Sequence, residues 1–126
     1  MRVEKLWGKI MKALMEWHED IVIVSISGLL DFEKVYEFRK KSLRHFMQNK
    51  VIFSLKELSF VGSTGLSSFA ETLNKIALEN PNGLGVCDVS FEYEKLLDPF
   101  VNEKLKIFKT LDVAKNHYAL KSMDFG

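Results

Sequence analysis

Two hydroxyl side chains, Ser63 and Thr64, stand between the glycines Gly62 and Gly65, with an apolar run before them and a helical pattern after them. A chain that passes from a strand into a helix at such a place presents backbone N–H groups with no partner one turn back. A hydroxyl there has two uses. It can accept a hydrogen bond from those groups as a plain N-cap. It can also carry a phosphate, which meets the positive end of the helix dipole and the same donors. A rival helix start is Ser68, which has capping-box spacing to Glu71. Leu66 weighs against it, being in phase with Phe69, Ala70 and Leu73. No lysine or arginine lies between Lys56 and Lys75, so a phosphate on Thr64 has no basic neighbour in sequence and acts by changing what the surface binds.

Other chemistry finds little to work with. His18, His45 and His117 are scattered and Cys87 is the single cysteine, so no zinc site or paired-histidine arrangement is expected, and no cofactor. Cys87, inside an apolar run, reads as a small core residue. Neither a Gly-x-Ser-x-Gly elbow nor a Gly-x-x-x-x-Gly-Lys-Ser/Thr loop occurs. Gly83-Leu84-Gly85 precedes a strand and lacks the third glycine of a dinucleotide fingerprint. With no titratable pair placed beside a nucleophile, the chain is expected to be non-catalytic. Arg39-Lys40-Lys41 shares its segment with Glu33 and Glu37 and reads as a solvated helix face.

The elements that position these residues follow from periodicity. Val3, Leu6, Trp7 and Ile10 recur at i, i+3, i+4, i+7, which predicts a short amphipathic helix. Met11, Ala13, Met15 and Trp17 then alternate with polar residues, and Ile21-Val22-Ile23-Val24-Ser25-Ile26 is a β-branched run, so the pair predicts an antiparallel hairpin turning at His18-Glu19-Asp20. Gly28 is expected to end that strand, and Asp31 to cap a helix carrying Phe32, Val35, Tyr36, Leu43, Phe46 and Met47. Val51 to Leu55 is the next strand, with Leu58 to Val61 leading into the tetrad. The helix beyond it buries Phe69, Ala70, Leu73 and Ala77 and stops at Asn80-Pro81. Leu84 to Val89 is a strand, Ser90 caps a short helix, Leu105 to Phe108 is a last strand, and Thr110 caps a final helix. Strand and helix alternate after the hairpin, which demands crossovers and a largely parallel sheet. The class is α/β.

Composition narrows the function classes. At 126 residues, 47% of them apolar, the chain holds one core and is short for two domains. Basic residues number 18 and acidic ones 17, so no global field favours nucleic acid or an anionic membrane. The lone cysteine suits a reducing cytoplasm, and no stretch approaches the ~20 apolar residues that span a bilayer. Residues 1–10 read as an amphipathic extension, 11–121 as the domain and 122–126 as a tail. The apolar residues of the extension are expected to bury against the domain's edge strand or against a second copy of the chain, as in a homodimer.

Three stretches together carry a resemblance to the STAS domain of bacterial anti-sigma-factor antagonists. Ile23-Val24-Ser25-Ile26-Ser27-Gly28-Leu29-Leu30-Asp31 resembles the family's strand ending in Gly-Glu-Leu-Asp. Phe60-Val61-Gly62-Ser63-Thr64-Gly65-Leu66 resembles its Asp-Ser-Ser-Gly-Leu segment, and Val86-Cys87-Asp88-Val89-Ser90 the strand and cap that follow. The resemblance implies a four- to five-stranded mixed sheet with an opening β-hairpin and alternating helices mainly on one face. It implies a cytoplasmic regulator of transcription that binds an anti-sigma factor which is also a serine kinase, with Thr64 as phospho-acceptor and Ser63 as its neighbour. Gly62, Ser63, Thr64, Gly65 and Asp31 would then meet the partner. The sequence departs from the family where Gly62 replaces the acid before the hydroxyl pair, and where Ser54 replaces an acid of the preceding strand. These departures favour a second reading, a constitutive STAS subunit docking on a transporter ATPase, and the resemblance also leaves open a module binding a small ligand such as a nucleotide or lipid at the same helix N-terminus.

Overall fold

In the computed structural model, which describes residues 2–6, 11–30, 40, 49–60 and 62–122, the β-branched run becomes the middle of a long strand. Strand β2 (Met11–His18) and strand β3 (Ile21–Leu30) form the expected antiparallel hairpin. Its two-residue turn puts Glu19 at φ 58, and Asp20 reaches across to Lys50 at 2.7 Å. β3 then pairs in parallel with β4 (Lys50–Phe60), β4 with β5 (Leu84–Cys87), and β5 with β6 (Leu105–Phe108). The spatial order of strands is their chain order.

The N-terminal segment departs from its periodicity. Residues Arg2–Leu6 are not helical but form strand β1, antiparallel to β2, with Arg2 opposite Glu16 and Leu6 opposite Lys12. A helix of so few residues gains too few hydrogen bonds to offset its nucleation. The outer edge of β2, by contrast, offers a ready row of N–H and C=O partners. The mixed α/β sheet of the expected class is thereby extended to six strands. Trp7 and Ile10 lie outside the described residues, as do Asp31 and the helix expected over Phe32 to Met47, apart from Lys40, which is helical and exposed.

Three further boundaries moved, the first being the strand expected over Leu84 to Val89, which stops at Cys87. Gly28 does not end its strand; β3 continues to Leu30, with Gly28 at φ 102. β4 runs unbroken through the residues expected to be a strand and a connector, because a bulge absorbs the change of phase. Ser25 is opposite Ser54 but Ser27 is opposite Glu57, so one extra residue is taken up on β4. As a result Leu55 and Leu58 are both core residues, at 3% and 5% exposure.

Helix α1 (Gly62–Glu79) lays Phe69, Ala70, Leu73, Ile76 and Ala77 on one face of the sheet, against Val22, Val24, Val51, Phe53 and Val86. Its end is fastened by the buried Asn80, whose Nδ2 donates to the Asn49 carbonyl at 2.9 Å while its Oδ1 accepts from the Asn82 N–H at 3.0 Å. Helix α2 (Phe91–Leu97) puts Leu97 into the same core, and Ser90 caps it by accepting from the Tyr93 N–H at 3.4 Å. Helix α3 (Leu111–Ser122) is capped by Thr110, whose Oγ1 accepts from Val113 N–H at 3.2 Å. It packs on the opposite face, where Ala114 and Tyr118 meet Ile21, Ile23, Ile52 and Cys87. Gly85 makes that docking possible, since a Cβ there would lie 2.8 Å from the Tyr118 ring. Two of these three helices thus share a face, as expected, and the third closes part of the other.

Candidate functional site

Parallel strands send their connections out at one end, and here that end gathers the site. β4 finishes at Phe60 and α1 begins at Gly62; β5 finishes at Cys87 and α2 begins at Phe91. The N-termini of two helices therefore lie at the carboxyl ends of adjacent strands, where open α/β sheets form their binding crevices.

Gly62, Ser63, Thr64 and Gly65 are themselves the first turn of α1 rather than a turn that precedes it. Thr64 is therefore inside the helix start and not its cap residue, and the alternative start at Ser68 is overturned. The N–H groups of this turn have no helical partners, and the turn contains no acidic residue. A negative charge added to Thr64 meets the positive end of the dipole and no carboxylate within the turn. Asp31 lies outside the described residues.

The neighbouring strand end holds a feature that motif reading passed over. Ser54, only 8% exposed, donates its hydroxyl to Asp88 Oδ2 at 2.9 Å. The Cys87 thiol points at the same oxygen at 3.6 Å. Asp88 sits at φ 59, a conformation that aspartate tolerates better than most side chains. The position at which the resemblance implies an acid is therefore a serine that holds an acid just past the end of the next strand. The signal was present in Val86-Cys87-Asp88-Val89-Ser90, but the pairing across strands is long-range. Beside it, a 450 Å³ groove is lined by Leu58, Asp88, Val89, Ser90 and Tyr93 among others. Phe91, at its helix start, is 70% exposed with the Lys95 ammonium 4.5 Å above its ring.

Nucleophilic chemistry is disfavoured at this end. Burial, and then the charge of Asp88, push the Cys87 thiol up to about 12, so it stays protonated and inert. Among the described residues no group of three histidine, cysteine or acidic side chains gathers to hold a metal. No helix among them is long and apolar enough to cross a membrane.

Comparison with known proteins bears on this geometry. The STAS domain model matches residues 12–114. A search of curated proteins gave no match. Among solved structures, an anti-sigma factor antagonist from Mycobacterium paratuberculosis is similar at 23% identity and TM-score 0.61, over 85% of this chain and 92% of that one. The anti-sigma factor antagonist SpoIIAA in its unphosphorylated form is 19% identical with TM-score 0.57, over 85% of this chain and 97% of that one. The Bacillus cell fate determinant SpoIIAA in its phosphorylated form is 18% identical with TM-score 0.52, over 84% and 98%. These likenesses establish a shared fold, and the domain match spans most of the six-stranded sheet together with the start of α1: the chain belongs to the STAS domain family.

Proposed function

We propose that this protein is a non-catalytic regulator of the anti-sigma-factor-antagonist kind, which binds an anti-sigma factor with kinase activity and is released when Thr64 is phosphorylated. The observation that carries this reading is the placement of Ser63 and Thr64 in the first turn of α1, at the carboxyl end of β4. One similar fold has been solved in both unphosphorylated and phosphorylated forms, which supports a switch in a sheet of this kind. A phosphate there is compatible with the helix and adds charge to a turn whose side chains are otherwise neutral. Partner surface shaped for hydroxyls must desolvate that charge, and affinity falls.

A second reading is constitutive docking on a transporter ATPase with no phosphate cycle, which the replacement of the family's acid by Gly62 favours. Copurification of the full chain from its native cell, followed by mass spectrometry, separates the two. An anti-sigma factor with a kinase fold among the recovered proteins is the expected result. Recovery of a transporter ATPase without any such kinase would replace the first reading with the second.

A further inference from the structure

The bulge in β4 does more than keep the core in register. On a regular strand Glu57 would follow Phe53 and Leu55 onto the face covered by α1. The extra residue puts Leu58 there instead and leaves Lys56 and Glu57, both exposed, beside one another on the outer side. They border a 310 Å³ cleft on the sheet face opposite α1, lined by Lys12, Leu14, Ser25, Ser27 and Ser54 among others.

Register arranges these side chains in two rows across three strands. Lys12 is opposite Ser27, which is opposite Glu57; Leu14 is opposite Ser25, which is opposite Ser54. With strands about 5 Å apart, Lys12 and Glu57 flank the serine row from either side. Ser54 donates its hydroxyl hydrogen bond to Asp88, so it forms the floor and is not a free donor. The hydroxyls of Ser25 and Ser27 and the ammonium groups of Lys12 and Lys56 remain. Among the described residues neither lysine has a carboxylate within ion-pair distance.

We propose that this cleft binds a small phosphate-bearing molecule, held by Lys12 and Lys56 from two sides and by the hydroxyls of Ser25 and Ser27 from below. Two point-like ammonium charges on the lining of one cleft, carried by different strands, suit a tetrahedral anion, whereas a planar carboxylate is better matched by an arginine fork. The volume lies at the small end of ligand cavities, which admits a phosphate with a short organic body. Glu57 offsets one of the two lysine charges on the lining, and the Asp88 carboxylate lies behind Ser54, so recognition rests on the lysines and serines acting on the ligand directly. The site is separate from Thr64: it uses the sheet face and no helix N-terminus.

The test is an amide-resolved NMR titration of the full chain with inorganic phosphate, run against sodium chloride at matched ionic strength to remove general screening. Saturable shifts at Lys12, Ser25, Ser27 and Lys56 are expected with phosphate alone. The Lys12→Gln/Lys56→Gln double variant should bind at least tenfold more weakly while keeping the wild-type melting temperature, since both side chains are exposed. Glu57→Gln should tighten binding. Shifts that chloride reproduces, shifts centred on residues 62–65, or an affinity that the double variant does not change would each overturn the proposal.

Discussion

At the scale of single residues, the structure turns several sequence features into specific contacts. Gly83-Leu84-Gly85 resembled half of a nucleotide fingerprint, yet its glycines serve packing. Gly83, at φ 73, passes so close to the Lys104 carbonyl that a Cβ would collide with its oxygen, and Gly85 makes room for Tyr118. Gly85→Ala should therefore lift α3 from the sheet, read as a lower melting temperature with loss of amide protection in α3. A variant as stable as wild type would show that Tyr118 does not seat there. Burial alone pushes the Tyr118 phenol from 10.0 up to about 12. Its folded form keeps a proton that the unfolded form loses, so its contribution to stability is complete below pH 10 and is lost as pH rises toward 12. Tyr118→Phe should flatten that decline in denaturant titrations across this range while leaving the part due to Cys87, which is shifted in the same direction. An unchanged slope would contradict the assignment.

At the scale of elements, what was legible followed local pattern. Ser90 and Thr110 cap the helices they were expected to cap, because the signal for a cap is confined to a few residues. The buried positions of α1 match its helical spacing, and Leu73 is fully buried. Leu73→Ala should cost about 2–5 kcal/mol in chemical denaturation as a core truncation; a loss below about 0.5 kcal/mol, the range of surface substitutions, would undo the register of α1. What was not legible depended on distant partners. Val3 and Leu6 have helical spacing, and only the free edge of β2, ten residues on, makes that segment a strand. The β4 bulge carries no glycine or proline to announce it, since it is forced by pairing with β3 and by the need to keep Leu58 inside. The Ser54–Asp88 bond joins two strands that sequence reading could place side by side but not align. The helix start at Gly62 moved Thr64 from cap to first turn, a shift within the usual uncertainty of helix ends.

At the scale of the whole molecule, one sheet carries a core on each face, and its carboxyl edge gathers the helix starts. The strand order β1 to β6 leaves β1 at one margin, and its pairing covers the outer side of β2. Deleting residues 1–6 should leave the domain folded, because the described core residues come from β2 to β6 and the helices, and should speed hydrogen exchange at the β2 amides that faced it. Global unfolding of the truncated chain would show that the edge strand is part of the cooperative unit. The central claim is that the molecule exchanges partners through Thr64, and it is tested most directly with the copurified kinase, ATP, and the wild-type, Thr64→Ala, Thr64→Glu and Ser63→Ala proteins. The account predicts phosphate on Thr64 in wild type and in Ser63→Ala, and none in Thr64→Ala, which keeps its binding. It also predicts that phosphorylated wild type and Thr64→Glu bind the partner at least tenfold more weakly, about 1.4 kcal/mol or more, at unchanged fold stability. Phosphate on Ser63 alone, or on neither residue with an active kinase, would contradict it.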